Sequence, residues 1–210
     1  MRIAIYLFNG VTALDAIGPY EAISRLPEVT VTFCSNMPGE IRTSDGFLGL
    51  TAECSIFTIE STDILLLPGG NGRFLSPLIR DTQLIEKIRQ LDQGTTFTTS
   101  VCTGAFFLAA AGLLREHSAA THWRAKDALA KFGARYSGER VTRSGKYITS
   151  AGVSAGIELG LTLCELIAGR SVAAAVELSM EYDPSPVFEG GDHRTADMTT
   201  IELITSRLRQ

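Results

Sequence analysis

Short apolar and β-branched runs recur along this chain, each followed by residues at helical spacing. "RIAIYLF" at the N-terminus predicts a buried strand, and "TALDAIGPYEAISRL" a helix behind it. "VTVTFCS" alternates and is β-branched, a second strand. Residues 39–59 carry an Asp-Gly turn between β-prone pieces and predict a hairpin at the edge of the fold. "TDILLLPGG" reads as a buried parallel strand that breaks into a loop. Asp81 caps a helix in which Leu84, Ile85, Ile88 and Leu91 share one face. The strand "TTFTTSV" runs straight into a helix from Thr103 with Gly112 near its end. "AATHW" is briefly β-prone, and "RAKDALAKF" is a helix closed by Gly133. A second hairpin is predicted around Ser144-Gly145, then an apolar helix capped by Ser154 and ended by Gly169, and another helix starting at a cap, Ser171.

Strands alternating with helices predict an α/β fold, a doubly wound sandwich with a mostly parallel central sheet. The 210 residues read as a single domain, 1–210, in which 183–210 form a surface-wrapping tail rich in Pro, Gly and acid, with a terminal helix in "MTTIELITSRLRQ". Hydrophobic residues make up 45% and charged residues 20%, a globular balance, and the net charge of −4 disfavours nucleic acid and anionic membranes as partners. No apolar run is long enough to span a bilayer, and "MRIAIYLFNG" fits a first strand better than a signal peptide, so the expected address is cytoplasmic. Cys34, Cys54, Cys102 and Cys164 are widely spaced, which offers no metal site and predicts free thiols. Cys34 and Cys164 read as core, and Cys54 as core or partly exposed. His117 and His193 read as surface residues.

Ligands of such sheets bind beyond the carboxyl ends of the strands, where the winding reverses. "LPGGNG", "SVCTG" and "THW" all follow strands at that edge. Ser100-Val101-Cys102-Thr103-Gly104 has the small–x–nucleophile–x–small spacing of a nucleophile elbow, where a helix N-terminus favours a thiolate. The same spacing also fits a core cysteine at a strand–helix turn, so spacing alone leaves both readings open. Asp15 stands among Leu14, Ala16 and Ile17, either as a helix-start charge or as a desolvated carboxyl able to exchange a proton with the sulfur.

"LFNGVTALDAIGPYEAIS", "DILLLPGG", "TSVCTGAFFLAAAGLL", "AATHW" and "ITSAGVSAGIELGLTL" occur in this order over roughly residues 1–182. Together they resemble the ThiJ/PfpI superfamily, and within it the isocyanide hydratases. The resemblance implies a flavodoxin-like fold, a homodimer, a small-molecule substrate, and neither metal nor organic cofactor. By position, Cys102 matches the nucleophile and Asp15 the acid. Gly69 and Gly70 match the loop whose amide faces the cysteine, Thr103 the residue after the nucleophile, and Val153 the loop that approaches the site. The implied reaction hydrates an isocyanide to an N-substituted formamide through a cysteine thioimidate.

Thr103 stands where the superfamily's proteases carry histidine, which counts against peptidase activity. Glyoxalase- or deglycase-like members carry Glu where this chain has Asp15, together with a histidine that His122 could supply. His122 otherwise serves a structural hydrogen bond, and Trp123 packs or lines the pocket. Sensor domains of AraC-type regulators share several segments. The absence of a DNA-reading domain before Gln210 leaves only a stand-alone ligand sensor on that reading. A redox sensor that oxidises Cys102 is the remaining alternative.

Overall fold

Ile64–Leu67 is buried at all of its positions, so it does not alternate between core and solvent; such a strand has to be covered on both faces. The structure, a computed structural model, describes residues 1–206; residues 207–210, the end of the expected terminal helix, lie outside the described residues. In chain order the strands and α-helices are β1 (Arg2–Tyr6), α1 (Ala13–Ile23), β2 (Thr30–Ser35), β3 (Gly39–Arg42), β4 (Gly49–Ala52), β5 (Cys54–Ser55), β6 (Ile64–Leu67), α2 (Gly72–Leu78), α3 (Thr82–Gly94), β7 (Phe97–Val101), α4 (Ala105–Ala110), β8 (Ser118–Ala119), α5 (Lys126–Ala130), β9 (Arg135–Tyr136), β10 (Val141–Ser144), β11 (Tyr147–Ser150), α6 (Ala155–Ala168), α7 (Arg170–Ser179) and α8 (Met198–Ser206).

The main sheet has seven strands in the order β10-β11-β7-β6-β1-β2-β5. Its strands are parallel except that β10 runs antiparallel to β11. From β1 the chain winds outward to β2 and β5, then restarts at β6 on the other side of β1 and winds to β7 and β11. The reversal falls between β1 and β6, which opens a crevice at their carboxyl ends. The strand β7 has helices on both sides. Val101 lies against Gly156 of α6, whereas Thr98, of opposite parity, donates to the Asp92 carboxylate of α3 at 2.7 Å.

The helices that carry the loops of the crevice pack backbone to backbone. A Cβ on Gly160 of α6 would stand 2.9 Å from Pro19 Cα and from Ala22 Cβ of α1. This approach fixes α1, and with it Asp15, against the helix that follows residues 151–154.

Both predicted hairpins form, β3–β4 as a separate two-stranded sheet and β10–β11 within the main sheet. Several elements differ from expectation. The helix α2 follows the Pro-Gly-Gly loop, capped by Asn71 Oδ1 on the Arg73 amide at 2.9 Å; its Gly and Pro content masks it in the sequence. Ser154 is already in helical conformation and does not cap α6; its Oγ accepts instead from Arg140 Nη2 at 3.3 Å. Gly169, at φ 85°, both ends α6 and starts α7, which places Ser171 inside the helix rather than at its cap. His117 is half-buried, hydrogen-bonded to Ser144 Oγ at 2.9 Å and packed edge-on against Tyr147, so it is not a surface residue. Cys34 and Cys164 are buried and Cys54 is half-buried. Residues 183–188 are exposed and lack regular structure. No helix among the described residues is long and apolar enough to cross a membrane.

Candidate active site

Three strand ends converge on the crevice. Cys102 follows β7, Gly69 and Gly70 follow β6, and Asp15 stands in the first turn of α1 after β1. The strand β7 turns so sharply that Cys102 has φ 57°, a left-handed conformation that is strained for a residue with a Cβ. The turn is held on both sides: the Cys102 amide donates to Ala151 O at 3.1 Å, and Thr121 Oγ1 donates to Cys102 O at 2.8 Å. The small residue two positions on has a plain cause, because a Cβ on Gly104 would collide with the Leu67 carbonyl at the end of β6.

The loops after β1 and β6 are laced by backbone hydrogen bonds. Thr12 N donates to Gly69 O, and Asn71 N to Gly10 O, each at 3.0 Å. Gly70 lies against the Gly10 carbonyl so closely that no side chain fits. A Cβ on Gly69 would stand 2.6 Å from both Thr103 N and Thr103 Oγ1, and 2.9 Å from Asp15 Oδ2. The position can only be glycine, since it fills the corner between acid and elbow.

Asp15 is fully buried. Its Oδ2 accepts from the Gly69 amide at 3.0 Å, and its Oδ1 is a buried side-chain oxygen with no hydrogen-bond partner among the described residues. Burial pushes its carboxyl up to about 7, opposed by the Gly69 amide and by its contact with Cys102. Cys102 is 5% exposed. Burial, and next the charge of Asp15, push its thiol well above the usual range, opposed by the amides of Thr103 and Val153 and by the Thr103 hydroxyl. The thiolate expected from the helix N-terminus is therefore not secured by that terminus alone; desolvation outweighs it. The two acids titrate as a pair, which gives up one proton near neutrality and holds the second strongly. The first proton lost is that of Asp15, and the amides at the sulfur lower the cost of moving the single charge from the carboxylate to Cys102. Two backbone amides face the sulfur, whereas Asp15 has the Gly69 amide.

The Gly69 and Gly70 amides, expected to face the cysteine, are engaged elsewhere. Gly69 N donates to Asp15, and Gly70 N donates to Thr103 Oγ1 at 3.0 Å, while Thr103 Oγ1 donates in turn to Gly70 O at 3.0 Å. The amides directed at the sulfur belong to Thr103 and Val153. Val153 is itself strained, at φ 40°. Ala151 and Thr121 also support the elbow, and no sequence signal distinguishes them.

His122 caps the short turn after β8: its Nδ1 accepts from the Arg124 amide at 3.3 Å. Burial, then the charges of Arg124 and His193, hold His122 below its ordinary pKa, in its neutral form. Trp123 lies between two histidines, its ring centroid 5.7 Å from that of His122 and 5.2 Å from that of His193. His193 is therefore half-buried on a tryptophan, not the surface residue expected. Among the described residues no group of His, Cys, Asp and Glu gathers to hold a metal ion.

The family model of the DJ-1/PfpI family matches residues 1–166. The chain is 36% identical to the isonitrile hydratase of Pseudomonas putida over 207 residues, covering 99% of this chain and 90% of that protein. It is 29% identical to an HTH-type transcriptional regulator of Pseudomonas aeruginosa, over 80% of this chain and 49% of the regulator. Among solved structures, a ThiJ/PfpI family protein from Pseudomonas syringae superposes with a TM-score of 0.91 at 30% identity, covering 97% of this chain and 86% of that one. With this match and the strand order above, the chain belongs to the DJ-1/PfpI family.

Proposed function

We propose that the protein is a cofactor-independent, cysteine-dependent hydro-lyase that hydrates an isocyanide to an N-substituted formamide. The observation that carries the reading is the buried Asp15, with one unpartnered oxygen, in contact with a cysteine whose backbone is strained into the crevice. The relative named an isonitrile hydratase supports the same reaction.

An isocyanide carbon accepts a nucleophile readily once it is protonated. The pair reacts through the minor tautomer of its monoanion, with the proton on Asp15 and the negative charge on the Cys102 sulfur. Asp15 gives its proton to the terminal carbon while the sulfur forms a bond to it, leaving a thioimidate and a carboxylate. Water then adds to the same carbon and Asp15 takes its proton back. The remaining hydroxyl proton passes to the nitrogen, relayed by Asp15, as the carbon–oxygen double bond forms and the carbon–sulfur bond breaks, which releases the formamide and restores the thiolate. The amides of Thr103 and Val153 receive the charge as it returns to sulfur. Gly69 positions the acid through its amide, and Gly70 positions Thr103.

On this reading the protein works in the cytoplasm as a homodimer, and light scattering of the purified chain tests the dimer. The decisive assay follows formamide from an aromatic isocyanide beside lactate from methylglyoxal. Formamide that disappears in Cys102→Ala supports the hydratase, whereas lactate alone replaces it with a glyoxalase. Likeness to a transcriptional regulator favours one second reading, a ligand-sensing domain. Saturable binding of a small ligand without turnover would select it.

A further inference from the structure

Behind the Val153 amide lies a cavity of about 870 Å³. Its floor is the loop 151–154, which carries both the carbonyl that holds the Cys102 amide and the amide directed at the Cys102 sulfur. Cys102 and Asp15 are not among the lining residues; the Val153 amide joins the cavity floor to the sulfur by one hydrogen bond. One wall is the turn bearing Trp123, and the roof is the C-terminal tail, from Tyr182 to Arg194.

Two contacts among the described residues hold the tail over the cavity. Tyr182 Oη donates to Glu158 Oε1 at 2.9 Å, and the His193 ring lies parallel to Trp123, with 6° between the planes. The charged groups lining the cavity are three carboxylates and two guanidiniums. Arg140 is paired with Glu158 at 2.6 Å and Arg194 with Asp192 at 2.6 Å, which leaves Glu139 as the surplus charge. Both guanidiniums among the described lining residues are paired, so an anionic ligand gains little here, whereas the aromatic rings suit a neutral one.

We infer that this tail-roofed cavity receives the substituent on the substrate's nitrogen, and that Trp123 and His193 select uncharged, flat substituents. The reaction invoked rests on the hydratase reading; the ligand class rests on the cavity alone. Trp123 and His193 are specificity-determining residues and take no part in proton transfer.

The chain has a single tryptophan, so binding at this wall reports on itself. Two measurements test the inference. The first compares kcat/KM for phenyl isocyanide and methyl isocyanide in the wild type, Trp123→Ala and His193→Ala. The ratio of phenyl to methyl should fall about tenfold in each variant. His193 sits on the tail outside the sheet, so His193→Ala keeps the test alive if Trp123→Ala fails to fold. The second titrates full-length Cys102→Ala with N-phenylformamide, N-methylformamide and 4-formamidobenzoate, following tryptophan fluorescence. A saturable change with N-phenylformamide, weaker by about tenfold with 4-formamidobenzoate and absent with N-methylformamide, is the expected result. An unchanged phenyl-to-methyl ratio in the folded variants, or no saturable change with N-phenylformamide, overturns the inference. If the wild type hydrates neither isocyanide, the hydratase reading falls by itself and the titration alone decides the cavity.

Discussion

Replacing Asp15 with asparagine removes one ionisable group from a fully buried position and keeps its size. In the unfolded chain this carboxyl titrates near 3.8, and in the fold burial moves it to about 7. Between those values the folded protein binds a proton that the unfolded chain has released, so the wild type loses stability as pH rises. The slope is about 1.4 kcal/mol per pH unit, and the whole interval amounts to roughly 4 kcal/mol. Above about pH 7 both states are ionised and the loss is complete; below about pH 4 both are protonated and it is absent. The amide that replaces the carboxyl cannot ionise, so the stability of Asp15→Asn relative to wild type should be lowest near pH 4 and rise to a plateau above pH 7. Urea unfolding of both proteins at half-unit steps from pH 4 to pH 8 measures the difference, and groups that titrate identically in both cancel. A difference that stays flat across this range would mean that Asp15 is ionised in the fold at acidic pH, and the proton-sharing pair would have to be abandoned. On the proposed reading the same pair sets activity. The reactive monoanion forms as pH rises through about 7, so kcat/KM for an isocyanide should climb there and level off. Asp15→Asn should lose that limb together with most of its turnover.

Cys102→Ala should retain the wild-type thermal midpoint within a few degrees while turnover becomes undetectable, as read by calorimetry and by formamide release. Gly69→Ala drives a Cβ to 2.6 Å from Thr103 N and 2.9 Å from Asp15 Oδ2. It should cost about 1–3 kcal/mol in urea unfolding and depress kcat far more than KM, whereas normal kinetics would detach the loop from the chemistry. Gly160→Ala forces α1 and α6 apart at 2.9 Å contacts. It gains about 1 kcal/mol of helix propensity against an overpacking cost of about 1–3 kcal/mol, so chemical denaturation should find it less stable; a clearly more stable variant would mean that the two helices separate freely.

Much of the fold was legible because it depends on local pattern. The unbroken apolar run Ile64–Leu67, the Asp81 cap, both hairpins and the turn at Cys102 each follow from a few neighbouring residues. The helix α2 was not legible: its Gly72, Pro77 and short length hide the periodicity, and Asn71 had no apolar stripe after it to mark it as a cap. At the site, Cys102 and Asp15 stood out by spacing and by company. The direction in which each amide points did not, because φ 40° at Val153 and the lacing of Gly10 to Gly70 arise between segments far apart in sequence. His193 on Trp123 is the same kind of contact, distant along the chain and stacked in space. The pKa of the cysteine escaped for a further reason. A helix N-terminus is visible in a sequence, but the desolvation that opposes it is a property of the finished interior.

The reciprocal hydrogen bonds between the loops after β1 and β6 place the acid without help from the tail. On the proposed readings chemistry and selection then fall on different stretches of chain, one laced to the sheet and one laid over it. A mutational library confined to residues 122–123 and 182–194 would vary what is accepted while leaving the acid and the sulfur in register. That makes the tail the natural place to begin engineering new substrates into this scaffold.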